Sequence, residues 1–434
     1  MKYFVNTLNC NFSKIHFLAI IFVLGINSSN INAQFKSKLI FDLQPHHVHS
    51  SSLVELPNGD ILTVWFEIMD SGHERTSRNV KLMGARLLHG ADTWSATFLM
   101  AETPYLPDGN PVLFLNRKNT LFLVWHVLQA EVWNASVLKV RTSVDYMGEG
   151  APVWAWQDNI FLNPNNNFAE EVVEKLQAAA IPSSGADTSQ MRSLAEHDAH
   201  ILTMSQDPIM RSIGWMTRLQ PIILQADSHK GRMLLPLYNE SQQMSLCAIS
   251  DDDGTTWIPG LPIVGRGNIQ PALLEKKNGD IIAYMRDASN GDNSIQTSRS
   301  ADGGNTWSPA RHIDIDNPNS SIEVKAIADG RWVMVCNDMK NFKKIGSGCC
   351  DGRQRLALYV SNDEGEHWTQ KLIFEDDTAK PDVLEQRGRY HYPSMIQSRD
   401  GLLHLTYTYN IRETPYAGGN DNAIKYVVID PTDL

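Results

Sequence analysis

The chain repeats a short unit in which a polar turn precedes an apolar run of strand length. PNGDILTVW (residues 57–65) and KNGDIIAYM (residues 277–285) are two examples. Alternating apolar positions bounded by turn residues are typical of β-strands, and glycine or asparagine suits the turn. Six such units are found, with turn residues Gly59, Asn119, Gly231, Gly279, Gly330 and Gly401. The intervals are 60, 112, 48, 51 and 71 residues, and all but the second are near the ~40–50 residues of a propeller blade. The pattern predicts an all-β fold, a six-bladed β-propeller.

A second motif, S-x-D-x-G-x-x-W, occurs three times. It is found at Ser250–Trp257 (SDDDGTTW), Ser300–Trp307 (SADGGNTW) and Ser361–Trp368 (SNDEGEHW). Its aspartate can accept backbone N–H groups, its glycine supplies a positive φ, and its tryptophan can pack on the sheet. A calcium loop would need more oxygen ligands at alternating positions. The motif therefore predicts a structural hairpin turn.

The long second interval contains the strongest helical pattern. Residues 168–180, FAEEVVEKLQAAA, are rich in helix formers and repeat apolar residues at helical spacing. The segment SGADTSQMRSLAEHDAHIL that follows favours a second helix. We expect a partly helical insertion over residues 164–213 within a single propeller domain of residues 34–434. A lid or rim over the pocket and a packing appendage are both consistent with such an insertion.

The N-terminus has the pattern of an export signal. Lys2 and Lys14 flank the short apolar run Ile15–Ile26, and small residues precede a cleavage position after Ala33. That run is too short to span a bilayer, and no later run approaches that length. We expect residues 1–33 to be a signal peptide and the mature chain to be secreted or periplasmic, without a membrane span.

Charge and cysteine content narrow the classes of function. Removing the two lysines of the signal changes the net charge from −11 to −11 − 2 = −13, which argues against a nucleic-acid partner. The four remaining cysteines, Cys247, Cys336, Cys349 and Cys350, match no zinc pattern. A disulfide is compatible with export, but the spacing gives no pairing. Neither an organic cofactor nor a protein partner is indicated.

The S-x-D-x-G-x-x-W motif resembles the Asp-box of the sialidase (neuraminidase) superfamily. The resemblance covers essentially the whole mature chain and implies a six-bladed propeller, with the Asp-boxes away from the active site. It also implies a site in which three arginines hold a substrate carboxylate and a tyrosine is the nucleophile. A glutamate would activate the tyrosine, and an aspartate would act as general acid/base. A neutral phenol avoids the repulsion between a carboxylate nucleophile and an acidic sugar.

Three positions match the superfamily pattern. Tyr392 stands nine residues before the last blade glycine, in YHYPSMIQSRDG, and corresponds to the nucleophile. Arg286 stands seven residues after Gly279 and corresponds to the second arginine, while Arg353, in the strand before the last Asp-box, corresponds to the third. The alternatives are a core role for Tyr392, a pair between Arg286 and an internal acid, and a surface position for Arg353.

Two positions depart from the pattern. His49 stands where the first arginine is expected, within a cluster with His46 and His47, and Gln270 stands where the activating glutamate is expected. An amide cannot act as a base, although it can orient the hydroxyl. For His49 we weigh a hydrogen bond to substrate, general acid/base chemistry and a structural role. Metal binding is a further alternative, but the sequence nearby has no acids at a spacing suited to a metal site.

Further charged residues are candidates for the missing roles. Glu74 is the first candidate for the general acid/base, with Asp70 as its competitor in the same loop. Arg218, directly after the insertion, is a candidate for the missing arginine. Glu323, at a similar height in its own blade, is a weaker candidate for the missing base.

The residues support three functions. The first is a secreted, exo-acting, retaining glycoside hydrolase that releases a carboxylate-bearing sugar (sialic acid, a related keto-deoxy acid or a uronate) from a glycan. The second is a polysaccharide lyase on uronates, in which Tyr392 and His49 exchange protons with the substrate. The third is a glycan-binding propeller that has lost catalysis at Gln270.

Overall fold

The computed structural model describes residues 35–70, 72–178, 188–289, 293–339, 352–380, 386–412 and 419–434. These residues form six antiparallel sheets, which we number as blades in chain order. In each sheet, strands that are consecutive in sequence pair with each other, except that the first strand of the chain joins the last one in blade 6 and that the first two strands of blade 3 both pair with its third. The architecture confirms the predicted six-bladed β-propeller.

The first three blades contain β2 to β14. Blade 1 consists of β2 (His47–Glu55), β3 (Ile61–Ile68), β4 (Val80–Leu87) and β5 (Phe98–Ala101). Blade 2 consists of β6 (Asp108–Leu115), β7 (Leu121–Leu128), β8 (Ser136–Ser143) and β9 (Trp156–Ile160). Blade 3 consists of β10 (Trp215–Thr217), β11 (Ile222–Ile223), β12 (Met233–Asn239), β13 (Met244–Ser250) and β14 (Ile258–Pro259).

The last three blades contain β15 to β25 together with β1. Blade 4 consists of β15 (Asn268–Glu275), β16 (Ile281–Asp287), β17 (Ser294–Ser300) and β18 (Arg311–Asp316). Blade 5 consists of β19 (Glu323–Ala326), β20 (Trp332–Cys336), β21 (Arg355–Ser361) and β22 (Thr369–Asp376). Blade 6 consists of β23 (Arg389–Gln397), β24 (Leu403–Asn410), β25 (Asn422–Ile429) and β1 (Phe35–Leu39).

The ring is closed by its first strand. β1 pairs antiparallel with β25, from Phe35 opposite Ile429 to Leu39 opposite Lys425, so the beginning of the chain completes blade 6. This pairing satisfies the backbone groups that would otherwise form an open sheet edge. Apolar side chains of neighbouring blades pack between the sheets. One such cluster joins β20 and β21 of blade 5 to β23, β24 and β25 of blade 6.

The long interval between two of the blade units contains two α-helices. α1 (Asn166–Ala178) and α2 (Thr188–Gln206) lie in the chain between the last strand of blade 2 and the first strand of blade 3. Phe168, Val172 and Leu176 of α1 are buried in one cluster with core residues of these two blades. The predicted helical insertion is therefore present, and α1 begins two residues earlier than the pattern indicated.

The three Asp-box turns have nearly the same hydrogen bonds. In each, the serine hydroxyl donates to the aspartate and accepts from the glycine N–H, for example Ser300 to Asp302 Oδ1 at 2.9 Å and Gly304 N to Ser300 Oγ at 2.9 Å. Asp302 Oδ1 also accepts the backbone N–H of Thr306 at 2.9 Å. The turns join the third and fourth strands of blades 3, 4 and 5. Their aspartates are occupied by the turn itself.

Several sequence-based expectations concern residues outside this description. Residues 1–33, the predicted signal peptide, and Cys349 and Cys350 lie outside the described residues. Cys247 and Cys336 are buried free thiols. Neither α1 nor α2 has the length and apolar character needed to cross a bilayer, and this holds for every helix in the described part of the chain.

Candidate active site

A cavity of about 590 Å³ opens at one end of the propeller, where inner strands begin and second strands end. All six blades contribute to its wall. Six of the predicted site residues line it: His49, Glu74, Gln270, Arg286, Arg353 and Tyr392. The lining does not include Arg218 and Glu323. The structure thus brings together residues that are more than 300 positions apart in sequence.

The inner strands of four blades have a β-bulge at the same place. The register of β2, β6, β15 and β23 shifts once, and one residue in each shift has a positive φ: Ser50 (57°), Asn110 (44°), Gln270 (56°) and Tyr392 (59°). Each stands nine residues before the turn residue of its blade. A left-handed conformation costs a non-glycine residue about 1 kcal/mol or more. The bulge interrupts the alternation of the strand and places Asn110, Gln270 and Tyr392 in the cavity wall.

The hydroxyl of Tyr392 is surrounded by hydrogen-bond donors. Arg286 Nη1 lies 2.7 Å from the phenolic oxygen and Gln270 Nε2 lies 3.2 Å from it. Among the described residues, no carboxylate is hydrogen-bonded to this oxygen. Since both neighbours donate, the phenolic proton points away from them. The two donors would also stabilise negative charge on the oxygen.

The ring of Tyr392 is fixed by packing as well as by hydrogen bonds. The guanidinium carbons of Arg218 and Arg353 lie 4.9 and 5.4 Å from the ring centroid, within the range of cation–π attraction. The imidazole of His49 packs against it with 4.0 Å between ring centroids. Tyr392 is therefore held in one orientation by neighbours from blades 1, 3, 4 and 5.

Two arginines of the cavity are positioned by one asparagine. The side chain of Asn319 accepts from Arg286 Nε at 2.7 Å, and its backbone carbonyl accepts from Arg353 Nη2 at 2.8 Å. Arg353 is buried, and the only other hydrogen bond of its guanidinium within the described residues is to His391. All the partners of Arg353 are thus neutral. A buried guanidinium of this kind is suited to an anionic ligand.

Four of the histidines that line the cavity, His47, His49, His126 and His391, are buried, and burial lowers the pKa of each. Burial, followed by the neighbouring His47 and Arg353, lowers the pKa of His49 well below its usual value. Burial lowers the pKa of both His47 and His126 to about 3. His49 Nδ1 is hydrogen-bonded to the hydroxyl of Thr408 at 2.9 Å. These imidazoles therefore provide neutral polar groups at physiological pH.

Arg218 and Glu323 lie beneath the cavity, among the inner strands. Arg218 donates to the carbonyls of Ser51 and Pro393, at 3.4 and 2.8 Å, which are the residues directly after two of the bulges. Glu323 accepts the backbone N–H of Met395 at 3.2 Å. Burial lowers the pKa of Arg218 to about 10, so it remains a cation at neutral pH. In this position both residues support the inner strands.

The loop after β3 places one of its two candidate acids in the cavity. Glu74 lines the cavity, whereas Asp70 accepts from Gly72 N at 2.8 Å and from the Ser77 hydroxyl at 2.9 Å within the loop. Two further carboxylates line the cavity and did not emerge from the sequence: Asp108 at the start of β6 and Glu240 in the turn after β12. The geometry favours Glu74 over Asp70.

The described residues contain no cluster of three or more histidine, cysteine or acidic side chains arranged to hold a metal ion. In the histidine cluster, His46 is hydrogen-bonded to Glu67 at 3.1 Å, while His47 and His49 face the cavity.

Comparisons with known proteins agree with this architecture. Residues 206–405 match the family described as BNR repeat-like domain. The anhydrosialidase of Macrobdella decora is 25% identical over 187 residues, which are 41% of this chain and only 23% of that protein. The family match and this relative together support a divergent member of the sialidase superfamily.

Solved structures of sialidases have the same fold as this chain. A sialidase of Streptococcus pneumoniae superposes with a TM-score of 0.61 at 12% identity, covering 92% of this chain and 71% of the other. An intramolecular trans-sialidase of Ruminococcus gnavus gives 0.60 at 13% identity, covering 93% and 98%. At these identities the likeness concerns the fold. The homology as a whole supports a function of the glycoside hydrolase type.

Some cavity residues of this divergent sialidase relative were missed by the sequence analysis. The position seven residues after the blade turn, used to find Arg286, also gives Phe66, His126 and Tyr238, all in the cavity wall. Applied to every blade, that spacing would have found them. Arg389 and His391 also line the cavity, and their only sequence signal is their position on the strand of Tyr392.

Proposed function

We propose that the protein is an exo-acting glycoside hydrolase that releases a carboxylate-bearing sugar from a glycan with retention of configuration. The observation that carries this proposal is Arg353, a buried cation with neutral partners only, in the same cavity as Tyr392. Arg286, Arg353, Arg389 and Arg75 line this cavity in a protein of net charge −11. Such a concentration of positive charge attracts and orients an anionic ligand.

In the proposed reaction the phenolic oxygen of Tyr392 forms a bond to the anomeric carbon while the bond from that carbon to the leaving oxygen breaks. The phenolic proton, which points away from Arg286 and Gln270, is released to the solvent of the cavity, and the product is a covalent glycosyl intermediate. Arg286 and Gln270 donate to the phenolic oxygen and stabilise the negative charge that develops when this oxygen attacks or leaves. Arg353 and Arg286 hold the carboxylate of the sugar. Glu74 protonates the leaving oxygen and then activates the water that releases the product. His49 packs on the nucleophile and supplies a neutral hydrogen-bonding group.

Two substitutions on the same strand test the nucleophile. Tyr392→Phe removes the hydroxyl in the cavity, and we expect a loss of activity of about 10³-fold or more. Tyr390→Phe is the matched control, because the Tyr390 hydroxyl donates to Asp377 at 2.9 Å and does not line the cavity. Initial rates on a library of glycans with acidic termini give the readout. Full activity of Tyr392→Phe on every cleaved substrate would rule out this mechanism.

A uronate lyase is the second candidate function, and the surroundings of Tyr392 support it. The phenolic oxygen has donors but no carboxylate base among its described partners, and neutral His49 lies against the ring. A tyrosine and a neutral histidine can exchange protons with a uronate whose carboxylate is neutralised by arginine. New ultraviolet absorbance from an unsaturated product would establish the lyase. A free sugar acid without that absorbance would establish the hydrolase, and binding without any product would indicate a glycan-binding propeller.

A further inference from the structure

His391 lies on β23 directly before Tyr392 and lines the same cavity. Only 1% of its surface is exposed. Its ring centroid lies 4.8 Å from that of His49 and 5.4 Å from that of Tyr392. The side chain is therefore fixed in the wall of the cavity, among the groups proposed to hold and attack the sugar.

The contact with Arg353 determines which nitrogen of His391 carries the proton. Arg353 Nη1 lies 3.3 Å from His391 Nδ1. A guanidinium can only donate, so Nδ1 must present its lone pair. Burial, followed by the nearby Arg353, lowers the pKa of His391 well below its usual value and keeps the ring neutral. A neutral ring that accepts at Nδ1 carries its proton on Nε2.

This Nε2–H group has no hydrogen-bond acceptor among the described residues, although it is buried. A buried donor without an acceptor is unfavourable by about 1–3 kcal/mol. Such groups are rare in folded proteins and often mark a functional site. His391, a lining residue of the cavity, therefore has a fixed, neutral N–H donor without an acceptor, and it lies next to a guanidinium that has only neutral partners.

We infer that His391 Nε2–H donates to the acid group of the bound sugar together with Arg353. This pair takes over the role of the arginine that is missing at His49. The choice of an acidic sugar as ligand rests on the proposed function. A neutral donor adds a hydrogen bond to the carboxylate without the repulsion that a further buried cation would meet from Arg353 and Arg389, which both line the cavity.

The tautomer can be measured without any ligand. Histidine labelled with ¹⁵N allows the two ring nitrogens to be distinguished by long-range proton–nitrogen correlation, and His391→Phe identifies the signal. We expect a neutral ring protonated at Nε2 at neutral pH. We also expect Arg353→Met to allow protonation at Nδ1, because the donor that occupies it is gone. A ring protonated at Nδ1, or at both nitrogens, in the wild type would overturn the inference.

Binding measurements test the role in recognition. N-acetylneuraminic acid, D-glucuronic acid and their methyl esters serve as probes in calorimetry. We expect the wild type to prefer at least one acid over its ester. His391→Phe should reduce that preference about ten- to hundredfold, as expected for the loss of a hydrogen bond to a charged group. His391→Gln, which retains an N–H donor, should keep part of it.

A histidine of the same blade serves as the control for a loss of stability. His404 is also buried, but it is hydrogen-bonded to Ser398 at 2.8 Å and to Tyr426, and it does not line the cavity. His404→Phe should therefore leave the preference for acid unchanged. If His391→Phe keeps the full preference of the wild type, the inference is wrong while the proposed function stands. If the wild type binds neither acid, the proposed function fails, and the ligand assigned to His391 fails with it.

Discussion

The Asp-box turns and the inner-strand bulges both recur from blade to blade, but they differ in whether the residue type recurs as well. In the turns, the residue type and the hydrogen bonds repeat together: Asp252, Asp302 and Asp363 each accept a backbone N–H at 2.9 Å from the residue four positions later. The side chain of the aspartate builds the turn itself. Changing its type would remove these hydrogen bonds, and the serine, aspartate, glycine and tryptophan of the motif are the same in blades 3, 4 and 5.

In the bulges, the backbone conformation repeats while the residue type varies. Ser50, Asn110, Gln270 and Tyr392 all have φ between 44° and 59°, although their side chains differ in size and chemistry. The bulge is determined by the pairing of each inner strand with its neighbouring strand. The side chain of the bulge residue is therefore not needed to form the bulge and can line the cavity. The comparison teaches that the bulges keep one backbone conformation while their side chains differ from blade to blade. Three of these side chains, Asn110, Gln270 and Tyr392, line the cavity.

The largest effect should come from the cation beneath two bulges. Arg218→Met removes the donors to the carbonyls of Ser51 and Pro393, and it removes one of the two cations whose charge acts on the buried Glu323. We expect the free energy of unfolding to fall by about 3–5 kcal/mol, because two buried carbonyls each lose a donor. Denaturant unfolding gives the measurement.

Arg299→Met is the control for Arg218→Met. Arg299 is 56% exposed and pairs with Asp280 at 2.7 Å. Because exposed pairs contribute little, the loss should be much smaller than for Arg218→Met. Equal losses for the two variants would mean that Arg218 does not support the bulges.

The next effect concerns the bulge residue that departs from the superfamily pattern. Gln270→Glu places a carboxylate 3.2 Å or so from the phenolic oxygen, where the amide now lies. If Tyr392 is the nucleophile, we expect kcat/KM for hydrolysis to rise at least about tenfold, because a positioned base contributes this much or more.

Asn110→Asp is the matched control, since it introduces the same group at the equivalent bulge of blade 2. Asn110 is hydrogen-bonded to Tyr238 at 2.9 Å and not to Tyr392, so no increase is expected. A fall in rate with Gln270→Glu, together with an unsaturated product from the wild type, would instead support the lyase.

A smaller effect, on stability alone, is expected in the turns. Asp302→Ala removes the acceptor of Thr306 N at 2.9 Å and of the Thr306 hydroxyl at 2.7 Å. We expect the free energy of unfolding to fall by about 1–2 kcal/mol while kcat/KM stays unchanged. Asp251→Ala, at an exposed aspartate paired with Arg232, should cost less than about 1 kcal/mol. A large drop in kcat/KM for Asp302→Ala would break the distinction between turn and cavity.

The smallest effect is a dependence on acid pH. Hydrogen bonds from the backbone and ring of His367 and from Ser361 lower the pKa of Asp363 to about 2. Because this folded-state value lies below that of the unfolded chain, the contribution is complete above about pH 4 and is lost as pH falls toward 2. Between pH 5 and pH 3, the urea midpoint should therefore fall more for the wild type than for Asp363→Asn. Equal decreases would show that Asp363 makes no such contribution.

Fixed spacing explains why part of the cavity was predictable. Tyr392 and Arg286 were located by counting from the blade glycines, because a meander of constant length carries each position to the same height. Arg218 was a candidate for the cavity because it directly follows the helical insertion, but its guanidinium points to carbonyls of blades 1 and 6. Its chain position gave no information on those distant partners. Glu240 and His391 were missed because their importance depends on neighbours from other blades.

The sequence by itself determined the architecture and the positions of the turns. This was possible because glycine, aspartate and serine act on backbone groups only a few residues away. Tertiary structure decided which side chains share the cavity and in what charge state, since burial and cross-blade contacts control both. The neutral state of His49 and His391, the donors around Tyr392 and the role of Arg218 follow from residues that are distant in sequence. Only closure of the ring brings those residues together.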